Sequence, residues 1–434
     1  MPQATFVNRQ ALYLHPDPAR VVVRPFRPSV DPRPLKAKER TRANHIVDRV
    51  LALDAETTAT LLTEVLENFQ GRHRNLLETF EARADEMEEA FTPHTVFTTT
   101  QRQLIGAYFL NEYAFESSAL FNPSIVAHPD QSTAPEGGCR FILSLRAVGE
   151  GHISSLTFRV GSIDADGAVT VDPTARLATM PKLRTRTTGP SGDTVDIAFK
   201  PEEEMSERVI FPLTLAQARG IEDARFVAFQ QDGETIFYAT YTAYDGQNIR
   251  SELLETRDFQ SFRLTPLGGT AAGGKGMALF PRKINGRYAM VARYDGENLH
   301  LIYSDDLYSW DHGTLLLEPK YPWEFVQIGN CGSPIELDEG WLLFTHGVGL
   351  VRKYSIGAVL LDKHDPSKII ARSSAPLVHP DASERAGYVP NVVYTCGAMR
   401  HNKRIILPYA VSDTFSNFST LKIEALLQSL EKMP

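Results

Sequence analysis

The chain has 434 residues, 42% of them apolar and 23% charged, the balance of a folded globular protein, which excludes disorder or a coiled coil as the reading of the whole. Lys and Arg number 45 against 53 Asp and Glu, a formal net charge of −8, so a nucleic-acid or membrane-surface protein, which needs a cationic footprint, is excluded too. Apolar runs are too short for a transmembrane helix, the N-terminal segment lacks a signal-peptide core, and Cys139, Cys331 and Cys396 are too few and scattered for a disulfide framework or a zinc cluster; a reducing, cytoplasmic setting with no metal is expected.

In chain order, residues 1–35 are rich in Pro and Arg and predict an extended arm, its Val21–Val23 run suited to an edge strand. From residue 36 the apolar spacing becomes helical. Ile46, Val47, Val50 and Leu51 share one face; Asp54 is placed to cap a helix carrying Leu61, Leu62, Val65, Leu66 and Phe69; Leu76, Leu77 and Phe80 continue the pattern. A last helix is predicted over 99–113. Residues 36–115 therefore read as a helical extension, whose amphipathic faces cover a core or provide a surface for homo-oligomer contacts.

After residue 116 the texture changes to short apolar runs separated by DADG, QQDG, YDGQ, KING, YDGE and LDEG turns, the pattern of antiparallel strands. Tyr244-Asp245-Gly246 recurs as Tyr294-Asp295-Gly296, and Asp258-Phe259 with Phe262 recurs as Asp306-Leu307 with Trp310. Such a period marks propeller blades. The predicted fold is mainly β: a five-bladed β-propeller over 116–434, with blades near 117–175, 208–266, 275–318, 330–373 and 388–426, preceded by the helical extension and closed by a short C-terminal helix. A propeller gathers distant segments around one funnel, so its chemistry is expected to be dispersed along the chain.

Common catalytic motifs are missing: there is no nucleophile elbow, P-loop or zinc-protease helix. Gly220-Ile221-Glu222-Asp223-Ala224-Arg225 is the sharpest local feature. Alternation puts Asp223 and Arg225 on one side of an extended strand and Glu222 on the other, and an Asp beside an Arg is also compatible with a plain ion pair. Lys275, Arg293 and His346 fall at corresponding places in successive blades, where they either converge as an anion site or face solvent independently. His152 reads as a turn residue, and Trp310, in a hairpin like those of sialidase propellers, as a blade-packing residue.

Several segments together resemble glycoside hydrolase family 130, the five-bladed propeller β-mannoside phosphorylases and related β-mannosidases: FNPSI, LSLRAVGEGHISS, GIEDARF, YTAYDG, KGMALFPRKINGRY, WEFVQIGNCGSPIELDEGWLLFTHGVG, YSIGAVLLDKHDP and AGYVPNVVYTCG, in order over about 117–425. The resemblance implies that Asp223 is the general acid, with Ala224 where the family has Pro. It implies a phosphate site of Lys275, Arg293, Gln327 and His346 with Tyr354 nearby, Gln327 standing where the phosphorylases carry Lys. It implies that Asn122, Arg146, Glu222 and Asp413 hold the mannosyl unit, and that the proton passes through that unit's 3-hydroxyl.

An inverting displacement by phosphate needs an acid for the leaving oxygen and cations to aim the nucleophile, but no protein base. The first reading is therefore a phosphorylase that cleaves a β-mannoside oligosaccharide with inorganic phosphate as co-substrate and no cofactor, giving mannose 1-phosphate. The second is a β-mannosidase using water, for which Glu324 is the candidate base. The third is a non-enzymatic propeller serving as a binding platform.

Overall fold

The computed structural model describes residues 6–26, 41–87, 96–382 and 384–433. They fall into two compact units, one of Ala19–Ala114 with Arg176–Thr179, the other of Met1–Pro18, Phe115–Ala175 and Met180–Pro434.

The smaller unit contains α1 (Arg42–Leu51), α2 (Ala55–Phe69), α3 (Leu76–Glu86) and α4 (Thr99–Tyr108). Their starts are written in the sequence. Thr41 and Asn44 form a capping box, Asp54 accepts from the Thr57 amide, and Thr98 and Gln101 form a second box, each satisfying amides that have no partner within the helix. The stripes bury Val47 and Val50 against Leu104, Ile105 and Phe109. Where α3 meets α4, a Cβ on Gly106 would stand 1.8 Å from the Phe80 carbonyl oxygen, so only glycine permits that approach. The helix predicted over 99–113 ends at Tyr108; Leu110–Tyr113 is instead a strand paired with Val22–Pro25.

The larger unit is mainly β. Its strands form five antiparallel meanders. The first runs through Ala119–Ala127, Cys139–Val148, Ser154–Ile163 and Val169–Val171, and the second through Gly220–Gln231, Glu234–Tyr244, Ile249–Thr256 and Ser261–Pro266. The third is Lys275–Leu279, Tyr288–Arg293, Leu299–Ser304 and Thr314–Leu317; the fourth is Gln327–Asn330, Trp341–Val348, Tyr354–Leu361 and Ile369–Arg372; the fifth is Val393–Tyr394, Arg404–Val411 and Phe415–Lys422. Each meander lies against the next in chain order, and strands of the fifth lie against the first strand of the first. Apolar layers fill the spaces between successive meanders. Strands so covered on both faces lose simple alternation, and all eight residues of Trp341–Val348 are buried.

Two additions are non-local and escape a reading by period. The hairpin Lys182–Gly189 and Gly192–Ala198 extends the second meander through pairing with Ser261–Pro266, and Val7–Arg9 pairs with Phe415–Lys422 as an outer strand of the fifth. The YDG repeats are one turn used twice: Asp245 Oδ1 accepts from the Gln247 and Asn248 amides, and Asp295 Oδ1 from those of Glu297 and Asn298. Trp310 is fully buried with its indole N–H donated to the Leu307 carbonyl, a packing residue. The C-terminal helix is α5 (Ile423–Ser429).

One local device recurs in the first three meanders. The pairing of the first strand skips two residues between Phe121 and Ser124, between Glu222 and Arg225, and between Lys275 and Ala278. The residue after each break has left-handed backbone: Asn122 (φ 49°), Asp223 (φ 55°) and Gly276 (φ 79°). Asn, Asp and Gly are the residues that tolerate this conformation, and a bulge turns side chains out of the pleat. All three bulges open on the same cavity.

Candidate active site

That cavity, about 210 Å³, is lined by Asn122, Arg146, Glu222, Asp223, Lys275, Arg293, Gln327, His346, Tyr354 and Asp413, together with Arg352, Val389, Val392 and Tyr394. Ten residues singled out from the sequence thus meet in one place. The first strands of all five meanders contribute, through Asn122, Asp223, Lys275, Gln327 and Tyr394.

The bulge corrects the expectation from alternation. Glu222 and Asp223 both face the cavity, and Arg146 joins them, donating to Glu222 Oε1 at 2.8 Å and to Asp223 Oδ1 at 3.2 Å. Arg225 does not pair with the Asp223 carboxylate. It lies beneath, donating to the Asp223 carbonyl and, at 2.8 Å, to the Tyr394 hydroxyl. Asn122 donates its amide to Asp223 Oδ1 at 2.6 Å. Burial pushes the Asp223 carboxyl up, but Arg146, Arg225, the Asn122 bond and Lys275 outweigh it and leave Asp223 below the usual carboxylate range. The neighbouring carboxyl goes the other way: burial, with the Asp223 charge, pushes Asp413 up to about 7, against the pull of Arg146 and Arg352. Among these protein groups at neutral pH, Asp223 is ionised and Asp413 is poised to hold a proton.

The cations are not equivalent, which revises the picture of one per blade. Lys275 donates to Glu222 Oε2 at 3.0 Å and is committed to a carboxylate. His346 is 3% exposed; burial, with the charges of Arg293 and Arg225, holds its pKa well below the ordinary value, so it is a neutral imidazole. Its ring occupies the space where a Cβ of Gly329 would stand, 2.3 Å away, and it stacks beside Tyr354 and packs on Tyr394. Behind it, the Cys331 thiol sits 3.8 Å from Nδ1. Arg293 donates to the Gly296 carbonyl at 2.6 Å and lies 3.4 Å from Gln327 Oε1.

Glu324, the candidate base, is outside the cavity and fully buried. Its Oε1 accepts from the Lys320 and Tyr321 amides and from Arg372 at 2.5 Å. This carboxylate ties the 320–324 turn to Arg372 and does not line the cavity. The readings missed Arg352 and Tyr394. Tyr394 carried no signal. Arg352 carried one: VGLVRKY repeats VGEGHIS, and both form the same turn, with left-handed Gly151 and His152 in one and Val351 and Arg352 in the other.

The sequence family described as beta-1,4-mannooligosaccharide phosphorylase, glycoside hydrolase family 130, matches residues 193–432. A 1,2-beta-oligomannan phosphorylase of a Thermoanaerobacter species is 34% identical over 216 residues, 49% of this chain and 71% of that protein. A beta-1,2-mannobiose phosphorylase of Listeria innocua is 31% identical over 230 residues, 51% of this chain and 63% of that one. The crystal structure of the Listeria innocua beta-1,2-mannobiose phosphorylase in complex with beta-1,2-mannobiose superposes with a TM-score of 0.53 at 20% identity, covering 72% of this chain and 92% of that one. The family model and these relatives make the protein a glycoside-active enzyme. The chain belongs to glycoside hydrolase family 130.

Proposed function

We propose that the five meanders are the blades of a five-bladed β-propeller and that the chain is an inverting phosphorylase, cleaving a β-mannoside with inorganic phosphate to give mannose 1-phosphate. The return of the fifth meander to the first and the meeting of five first strands at one cavity support the propeller. The observation that carries the reaction is one cavity holding a carboxylate wall, Asp223 with Glu222 and Asp413, and a wall of Arg293, Gln327, His346 and Tyr354 that contains no carboxylate. The mannosyl unit lies on the first wall, with Asn122, Arg146, Glu222 and Asp413 as its polar partners. Phosphate lies on the second, where Arg293 and Tyr354 donate and His346 shares a proton.

In the displacement, a phosphate oxygen forms a bond to the anomeric carbon as the bond to the leaving oxygen breaks, and that oxygen takes a proton originating on Asp223. Asp223 rests ionised, so it must be charged with a proton first. A dianion bound beside Arg293 offsets the positive field that depresses Asp223 and raises its pKa. The proton comes with the phosphate or from Asp413. No cofactor enters, and phosphate is the co-substrate.

The test is product identity. With β-1,2- or β-1,4-mannobiose, mannose 1-phosphate should accumulate in proportion to added phosphate, and almost nothing should happen without it. Free mannose released at full rate in phosphate-free buffer would replace this reading with hydrolysis.

A further inference from the structure

Most cations of the cavity are already engaged. Arg146 pairs with Glu222 and Asp223, Lys275 with Glu222, and His346 is neutral. Gln327 adds no charge. Two fixed positive charges remain without a carboxylate at ion-pair distance among the described residues, Arg293 and Arg352. Arg352 stands at the tip of the turn joining Trp341–Val348 to Tyr354–Leu361 and is exposed. Its guanidinium lies 5.7 Å from the centre of the Tyr354 ring, which stacks beside His346. Arg293, His346, Tyr354 and Arg352 thus form a row along one wall, with Gln327 beside Arg293.

We propose that Arg352 is a phosphate-binding residue, supplying from the turn the cation that this chain lacks at Gln327, so that the dianion is held between Arg293 and Arg352. The assignment rests on the phosphorylase reading. It is supported by backbone placement: φ at Arg352 is 53° and at Val351 54°, an uncommon conformation for either side chain, and it sends the guanidinium back over Tyr354. Arg352 makes no ion pair among the described residues, though its charge acts on the Asp413 carboxyl, and its guanidinium N–H groups are open to an anion. A guanidinium on a fixed turn offers a phosphate two parallel N–H donors, which a lysine at 327 would not.

The test compares Arg352→Asn and Arg352→Lys. Asn suits a left-handed backbone, so the variant loses charge without losing the turn, and unchanged thermal unfolding checks this. Binding of inorganic phosphate is measured by titration calorimetry on the enzyme alone, and KM is measured separately for phosphate and for mannobiose. A charge-assisted contact at a partly open site predicts that Asn weakens phosphate by about 10-fold or more. Lys should recover part of the loss, and mannobiose KM should move less than about twofold. An unchanged phosphate affinity in Arg352→Asn overturns the assignment and leaves the phosphorylase reading standing. A rise confined to mannobiose KM also overturns it, moving Arg352 to the leaving sugar. A wild-type enzyme that neither binds nor needs phosphate overturns both at once.

Discussion

Two carboxyls that share the influence of one arginine, Arg146, shift to opposite sides of the ordinary carboxylate range because their other partners differ. Asp223 receives Asn122 and Arg146 directly, while Asp413 has burial and a like charge. Asp223→Asn keeps the bulge conformation and removes the transferable proton, so turnover on unactivated mannobiose should fall about 10²–10⁴-fold with the fold intact; a near-wild-type rate would remove Asp223 from the acid role. Asp413→Asn makes a stability prediction with a sign. A carboxyl whose folded pKa is raised to about 7 stabilises fully only below its unfolded value near 4 and loses that contribution as pH rises through 7. The gap in melting temperature between the Asn variant and wild type should therefore open in the variant's favour between about pH 4 and 7 and stay level above. A gap that widens toward acid pH would refute the raised carboxyl. Glu222, Asp223, Lys275, Arg293 and His346 stood out in the sequence by type and spacing, whereas Asn122, Arg146, Gln327, Tyr354 and Asp413 were marked only by the family resemblance; these ten line one cavity. Glu324 drew notice as a base because it neighbours site segments in sequence; its burial against Arg372 depends on a strand 48 residues away. Arg352 was passed over because only the repeated turn, not its own residue type, marks it.

At the scale of elements, the first-strand bulge decides where side chains point. Alternation failed at Glu222 because the strand was assumed regular, yet FNP, EDA and KGM carry the signal in common: a residue tolerant of positive φ after the break. Gly276→Ala should be strained at φ 79°, with its new methyl only 3.4 Å from Asn330 Oδ1, costing about 1 kcal/mol or more and displacing Lys275. A melting temperature and activity equal to wild type would contradict it. Gly329→Ala should be worse, since the methyl would collide with the His346 ring. Loss of phosphate affinity beyond any loss of stability is the expected signature.

For the whole molecule, the mainly β texture was visible in the turn-punctuated apolar runs and the period allowed five or six repeats, of which five was chosen, but the outer strands were not visible. Val7–Arg9 joins the fifth meander across more than 400 residues of chain, with Val7 opposite Leu421, and Arg9 pairs with Asp381 and Glu384. No local pattern announces a partner so distant. Removing residues 1–10 should expose the edge of Phe415–Lys422 and the buried Tyr409 beneath Arg9. The larger unit should then melt earlier in one cooperative step, by several degrees, as expected for a few kcal/mol in a domain of this size. A transition unchanged by the truncation would show that this strand is dispensable. Arg9→Ala alone should give a smaller shift in the same direction.

The threefold bulge has a consequence at the level of the genetic code. Its left-handed corner is occupied once by Asn, once by Asp and once by Gly, and in the code Asp stands one base change from each of the other two. At residue 223 a carboxylate can therefore give way to an amide or to an open space in one mutational step, on a backbone conformation that all three residue types tolerate. In such a scaffold the chemistry of the pocket can be rewritten while the architecture that holds it stands still.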